Sequence, residues 1–220
     1  MLIKIAGRVR GLFAGNYPEN REDEQFHVNN RGDQIVAQGL PERTEIVRLG
    51  DSWQVMTSAA IAPLTAVPTT TGGLNLWNGE QANGKCYIID RVTASEIVVD
   101  ATQSNMTSLW AMLVRPPVTA PTDAALTIRS LSGKNAYSGR ARTTVNAAVT
   151  NDGWFPVGTS APVAAAAAGS GWKVTEVNLN GLYIVPPGGQ FCLHAAKVAA
   201  TAGQMHFSIV WHEAQIIWKS

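Results

Sequence analysis

GLYIVPPGGQFCLHAA, residues 181–196, places two apolar runs on either side of the tetrapeptide PPGG at residues 186–189. A loop that cradles phosphate has the spacing G-x-x-x-x-G-K-S/T or G-x-G-x-x-G and leads into a helix. Here the following residues, 190–196, are typical of a strand. Proline fixes φ and lacks an N–H, whereas glycine reaches positive φ. The tetrapeptide therefore predicts a structural corner between two strands.

Short apolar runs of the same kind recur through most of the chain. They are rich in Val, Ile, Thr, Trp and Tyr, and Gly, Pro, Asn and Asp separate them. The predicted strands are residues 45–49, 52–56, 74–78, 85–99 with a bend, 108–115, 125–131, 142–149, 172–179, 181–185, 190–196 and 205–218. About ten strands with almost no helical periodicity predict an all-β protein, a sandwich or a barrel.

The alternation of side chains along two of these runs indicates what covers each face. In residues 205–211 the odd positions are large and apolar, which predicts one core-facing side. In residues 108–115 both faces are apolar, so a second covering layer is needed, either another sheet with a loop or a neighbouring subunit. We favour an oligomer, and the interface candidates are Trp110, Met112 and Val114.

Charge is unevenly distributed along the 220 residues. Overall the chain is 45% hydrophobic and 15% charged, with a formal net charge of +1. Residues 1–50 hold seven basic and seven acidic side chains, and the other 170 residues hold nineteen charged residues. This contrast predicts an extended polar N-terminal arm over residues 1–44 and one β-domain over residues 45–220.

The composition also argues against two classes of partner. A nucleic-acid-binding protein concentrates Lys and Arg in a patch or block, and this sequence has none. A membrane helix needs roughly 20 consecutive apolar residues, which the sequence also lacks. We expect neither a nucleic-acid partner nor a membrane partner, and we expect no signal peptide.

The sequence predicts no catalytic, cofactor-binding or metal-binding residues. It contains no C-x-x-C pair, no H-x-H pair and no G-x-S-x-G elbow. An enzyme remains an alternative only if titratable groups far apart in sequence converge in one pocket, and the candidates for that are Asp90, Glu96, His194 and His212. Cys86 and Cys192 are expected to be buried thiols, with a cross-strand disulfide as the open alternative.

Two groups of surface residues suggest ligands. Arg129, Lys134, Arg140 and Arg142 surround a turn that contains Tyr137, so they form either a patch for an anionic surface or a solvated hairpin tip. Trp77, Trp154 and Trp172 would stack on sugar rings if they are exposed. The second group supports an alternative function, a receptor- or glycan-binding module of a phage tail or head fibre.

A polar arm followed by a β-domain resembles the small structural proteins of tailed bacteriophages. The stretches NLWNGEQANGKCYIIDRV (75–92), GLYIVPPGGQFCLHAA (181–196) and FSIVWHEAQ (207–215) carry the resemblance. In particular the chain is similar to head decoration, or cement, proteins, whose domain is a jelly-roll-like antiparallel β-sandwich.

This resemblance implies a structural virion protein made in the host cytoplasm. It implies a homotrimer that binds the major capsid protein on the outer surface of the phage head and stabilises the shell, without cofactor or catalysis. The arm residues that we expect to contact the capsid are Arg8, Arg10, Arg21, Arg31, Arg43, Glu22, Asp23 and Glu24.

Overall fold

The computed structural model of the protein describes residues 43–98, 107–121, 126–133, 136–160, 174–197 and 203–216. These residues form one short helix and ten strands. In chain order the elements are α1 (Thr44–Leu49), β1 (Ser52–Met56), β2 (Thr71–Trp77), β3 (Lys85–Val98), β4 (Thr107–Val114), β5 (Arg129–Ser130), β6 (Arg142–Ala148), β7 (Phe155–Ser160), β8 (Val174–Val185), β9 (Gln190–Lys197) and β10 (Gln204–Gln215).

The strands form two five-stranded antiparallel sheets packed face to face. Their orders are β5-β1-β10-β3-β8 and β6-β2-β9-β4-β7. Without the two-residue β5 and the edge strand β6, the orders become 1-10-3-8 and 2-9-4-7, so that successive strands mostly alternate between the sheets. That arrangement is a jelly roll. The predicted all-β sandwich of jelly-roll type is therefore confirmed for the described part of the chain.

The core lies between the sheets and takes its side chains from alternate positions of the strands. The predicted inner face of β10 is confirmed, because Met205, Phe207, Ile209 and Trp211 are all buried. Opposite them, β2 and β9 contribute residues such as Leu74 and Leu193. Burying these large side chains is the main stabilising contribution to the fold.

The PPGG corner connects β8 in one sheet to β9 in the other. Gly188 has a φ of 76°, which favours glycine, and the N–H of Gly189 donates to the carbonyl of Pro186 at 2.9 Å. The buried Asn78 stabilises the corner: its N–H donates to the carbonyl of Gly189, and its side chain donates to the carbonyl of Val185, both at 2.9 Å. The prediction of a structural corner is confirmed.

Four strand predictions differ from the structure. Residues 45–49 lie in α1, where Gly50 ends the helix with a φ of 88° and donates its N–H to Val47. Residues 125–131 contribute only the two residues of β5. The predicted strands 172–179 and 181–185 lie on one strand, β8. Strand β7 was not predicted.

The second apolar face of β4 is covered by the chain itself. Met112 and Val114 are buried together with Val149 and Cys192, and the half-buried Val118 and Trp154 pack against them. Met112 and Val114 therefore have a covering layer within the chain, which is one of the two alternatives that the sequence left open. Trp110 is half-buried, and its indole N–H donates to the Ser108 hydroxyl. A subunit interface at these three residues stays a prediction.

Candidate functional site

A large bulge in β8 brings four polar side chains together on the first sheet. Ile89 pairs with Tyr183 and Arg91 with Asn178, so that residues 179–182 of β8 oppose Asp90 alone. Within the bulge, Asn180 and Gly181 have φ values of 49° and 80°. An Asn-Gly pair adopts positive φ at low steric cost, which explains why the strand can bulge here.

Asp90 is the centre of this bulge cluster, which comprises Arg43, Asp90, Asn180 and His212. Asp90 is only 5% exposed, whereas the side chain of Arg43 is 42% exposed and Asn180 lies at the surface. Nδ1 of His212 lies 2.9 Å from one carboxylate oxygen of Asp90, and the Arg43 guanidinium lies 3.6 Å from the other. Arg43 also donates to the side-chain oxygen of Asn180. Because Arg43 directly precedes α1, the cluster fixes the start of the described domain to its first sheet.

The structure brings only two of the four enzyme candidates together. Asp90 and His212 lie in the bulge cluster, whereas Glu96 forms a buried ion pair with Lys197 between the two sheets. His194 is 1% exposed on β9, where its ring meets Phe207 edge to face. Burial lowers the pKa of His194 to about 4, so the ring is neutral at physiological pH.

A cleft of about 870 Å³ lies where β1, β3 and β10 meet at one end of the sandwich. Lys85 reaches across it, with Nζ 2.8 Å from Oδ1 of Asp51 and 3.7 Å from Oε2 of Glu213. The Tyr137 hydroxyl donates to Oε1 of Glu213 at 3.0 Å. Glu80 lines the same cleft. Sequence reasoning missed this site because its residues come from four separate segments that only the sheet pairing brings together.

Burial controls the electrostatics of the cleft. It raises the pKa of Glu213, and the hydrogen bond from Tyr137 and the charge of Lys85 only partly offset that shift. Burial also raises the pKa of Tyr137, so that its hydroxyl stays a donor. Burial lowers the pKa of Lys85, but the hydrogen bond to Asp51 and the charge of Asp51 raise it. The pKa of Lys85 therefore lies above its ordinary value. Lys85 therefore keeps its positive charge in the cleft.

The wall behind these charges is aromatic. Trp53 lines the cleft, is 6% exposed, and meets Tyr137 edge to face with ring centroids 4.8 Å apart. Tyr137 in turn contacts Trp211. The indole N–H of Trp53 has no acceptor among the described residues. A buried polar group without a partner is uncommon in folded proteins and needs a physical explanation.

At the turn with the basic residues, the ring of Tyr137 packs against the core. Arg129, Arg140 and Arg142 are exposed, and Lys134 lies outside the described residues. Arg142 lies over the ring of Trp77, 5.8 Å from its centroid.

The glycan-binding alternative depends on three tryptophans, of which the structure describes two. Trp77 and Trp154 are half-buried, and their indole N–H groups donate to the carbonyls of Val118 and Thr69. Trp172 lies outside the described residues. Both rings are therefore only partly available for stacking on a sugar, and Arg142 lies over that of Trp77.

Of the arm residues predicted to contact the capsid, the structure describes one. Arg43 is described and lies in the bulge cluster, whereas Arg8, Arg10, Arg21, Glu22, Asp23, Glu24 and Arg31 lie outside the described residues.

Both cysteines are buried, and no disulfide joins Cys86 to Cys192. In the described part of the chain no three His, Cys, Asp or Glu side chains come together as a metal site. Within the described ranges, no helix has the length and apolar character of a membrane span.

Comparison with known proteins identifies no family. No family model matches the chain, and no curated protein matches it. Among solved structures, one match is a chain of the cryo-EM structure of Mud Crab Dicistrovirus, with 10% sequence identity and a TM-score of 0.23. That match covers 100% of this chain and 95% of the other. A likeness at this level carries no argument about fold or function.

Proposed function

We propose that the protein is a capsid decoration protein of a tailed bacteriophage, a homotrimer that binds the outer surface of the head and stabilises it. Its partner is the major capsid protein. The observation that carries the proposal is the combination of a sparsely charged jelly roll with a mixed-charge N-terminal segment whose end is fixed to the sandwich by Arg43.

The bulge cluster supports this proposal mechanically. A segment that holds a neighbouring subunit must transmit load into its own domain, and a partly buried ion pair with further hydrogen bonds resists that load better than an exposed one. Arg43 reaches both Asp90 and Asn180, which lie on two paired strands. Many copies that each add modest contacts then stabilise a shell through multivalency.

The proposal is tested by sedimentation with empty heads of tailed phages. We expect the full chain to pellet with heads and a chain that begins at Glu42 to remain folded but stay in the supernatant. The shortened chain keeps Arg43 and every other described residue, so its circular dichroism spectrum should retain the β signal.

A full-length variant distinguishes the effect of arm charge on head binding from the effect of chain length. Replacing Arg8, Arg10 and Arg21 with glutamine leaves the chain length unchanged and removes three of the expected capsid contacts. We expect weaker pelleting that also depends less on salt. If the chain that begins at Glu42 pellets as well as the full chain, the decoration role through the arm is wrong.

A further inference from the structure

The sequence holds three Asn-Gly pairs, at residues 78–79, 83–84 and 180–181. In such a pair the glycine nitrogen can attack the side-chain amide carbon of asparagine, because glycine has no side chain that hinders the approach. Ammonia leaves as a five-membered succinimide closes, and water then opens the ring to aspartate or isoaspartate. The reaction requires an asparagine side chain that is free to turn back onto its own chain, and the structure distinguishes the three pairs by this requirement.

Hydrogen bonds fix the side chain of Asn78. It is buried, its Nδ2 donates to the carbonyls of Lys85 and Val185 at 3.0 and 2.9 Å, and its Oδ1 accepts from the N–H of Glu80 at 3.0 Å. Turning the side chain would break these three bonds and leave buried polar groups without partners. Asn78 is therefore protected.

One strong hydrogen bond restrains the side chain of Asn180. Asn180 is exposed, but it lies within strand β8, and its Oδ1 accepts from the Arg43 guanidinium at 2.5 Å. A hydrogen bond from a charged donor is roughly twice as strong as one between neutral groups. Asn180 is therefore less protected than Asn78, but its side chain is not free.

Asn83 lies in an exposed turn between β2 and β3. Its side chain makes no hydrogen bond to any residue that the structure describes. The Gly84 N–H donates to the carbonyl of Gln81 at 2.7 Å, and this turn bond restrains the attacking nitrogen. Hydrogen bonds in surface turns open at a lower free energy than those of core strands, so this restraint is the weakest of the three.

The turn itself requires both residues of the reactive pair. The φ of Asn83 is 71°, which asparagine tolerates better than most residues. A Cβ atom on Gly84 would lie 2.8 Å from the carbonyl oxygen of Gln81 and 2.8 Å from Cβ of Glu80. The geometry that closes the turn therefore places an Asn-Gly pair at the surface.

We propose that Asn83 is a deamidation site of the folded protein. Its aspartate product adds a carboxylate to the wall of the cleft, where Glu80 and Glu213 already lie. The isoaspartate product routes the main chain through the former side chain, so that the carbonyl that accepts from Nε2 of Gln215 at 3.3 Å becomes a free carboxylate. Either product changes the charge at this end of the sandwich, independently of the arm and of capsid binding.

The test follows the three pairs in the full chain by peptide mass spectrometry. The folded protein and a urea-unfolded sample are incubated side by side in mildly alkaline buffer and then digested with trypsin. Residues 49–85 form one peptide with Asn78 and Asn83, which fragment ions distinguish, and residues 174–197 form the peptide with Asn180. In the folded protein we expect Asn83 to convert at least about tenfold faster than Asn78 and about threefold faster than Asn180. In urea the three rates should be similar, because glycine follows each asparagine.

Two variants connect the rates to the named contacts. Asn83→Gly keeps the positive φ and removes the amide, so the peptide of residues 49–85 should keep its mass in the folded protein. Arg43→Met removes the charged donor at Asn180 and should raise the rate there by about threefold to tenfold, with the rate at Asn83 unchanged.

Two results with the parent chain would overturn the proposal, and neither depends on a variant that folds. One is conversion at Asn83 that is no faster than at Asn78 or Asn180 in the folded protein. The other is conversion at Asn83 in the unfolded sample alone. A gain of mass in the folded Asn83→Gly peptide at the parent's rate would also contradict the assignment.

Discussion

At the scale of single residues, His194 shows how burial turns a titratable side chain into a pH-dependent contribution to stability. Its pKa is about 4 in the folded protein and about 6.5 in an unfolded chain, so the unfolded state binds the proton more readily. The contribution of the neutral ring is complete above pH 6.5. It is lost progressively as the pH falls from 6.5 towards 4.

This shift predicts a difference between the parent chain and His194→Phe. Between pH 6.5 and pH 5 the parent should lose about 1.6 kcal/mol of unfolding free energy through this group, and the variant should not. Urea unfolding of both proteins at the two pH values measures the difference. The lost hydrogen bond from the Ala195 N–H affects the variant at both pH values and cancels. Equal losses in the two proteins would contradict the assignment.

Gly181 sets the geometry of the bulge cluster at the same scale. Its φ is 80°, and a Cβ atom there would lie 3.2 Å from Cγ2 of Ile88. Gly181→Ala should therefore cost about 1–3 kcal/mol, from backbone strain together with that contact. Gly133→Ala is the matched control, because its φ is 66° but the space around it is open. Thermal unfolding should show a larger loss for Gly181→Ala, and equal losses would mean that the contact with Ile88 is harmless.

At the scale of secondary-structure elements, a buried ion pair joins the two sheets at the end opposite the cleft. Glu96 on β3 and Lys197 on β9 are only 1% and 4% exposed. Glu96→Gln leaves an ammonium group buried without its counter-charge, and it should cost about 3–5 kcal/mol.

The double variant Glu96→Met with Lys197→Met tests what happens when both charges of this pair are removed. Removing both charges together removes both desolvation costs, so we expect most of the lost stability to return. Urea unfolding of the parent, Glu96→Met, Lys197→Met and the double variant forms a double-mutant cycle. A double variant as unstable as the sum of the single variants would show that the two charges do not interact.

Side-chain alternation predicted the regular strands well, because one buried face imposes a period of two. It succeeded for β1, β3, β9 and β10 and for the corner before β9. It failed where a local residue overrides the pattern. Pro156 lies within the edge strand β7, and this strand was not predicted because proline is rare in strands except at edges. The pair Asn180-Gly181 looks like the end of a strand but forms a bulge inside β8.

The cleft and the bulge cluster could not be predicted from the sequence for a different physical reason. Each is assembled by pairing between strands that are distant in the chain, as when Asp90 meets His212 or Asp51 meets Lys85. Their residue types are ordinary surface charges, and no spacing along the chain distinguishes them. Only the strand order brings them together.

At the scale of the whole molecule, β7 and β8 are edge strands among the described residues and are candidates for contact between copies. The two strands lie side by side, since a Cβ atom on Gly158 of β7 would lie 2.5 Å from Val177 of β8. Both carry exposed apolar side chains, with Phe155 63% and Leu182 74% exposed. Exposed apolar residues on open edges favour association with another chain.

If the proposed homotrimer forms through these edges, lysine at both positions should dissociate it. Light scattering of the parent should give about 70 kDa, roughly three times the 23.5 kDa of one chain, and Phe155→Lys with Leu182→Lys should give the mass of one chain. Met56→Lys is the control, because Met56 is 60% exposed and lies on β1, which β10 and β3 separate from β8 in the first sheet. A parent that already has the mass of one chain would exclude the trimer. A double variant that stays trimeric would place the interface elsewhere, because two buried ammonium groups at a subunit contact would cost more than the association supplies.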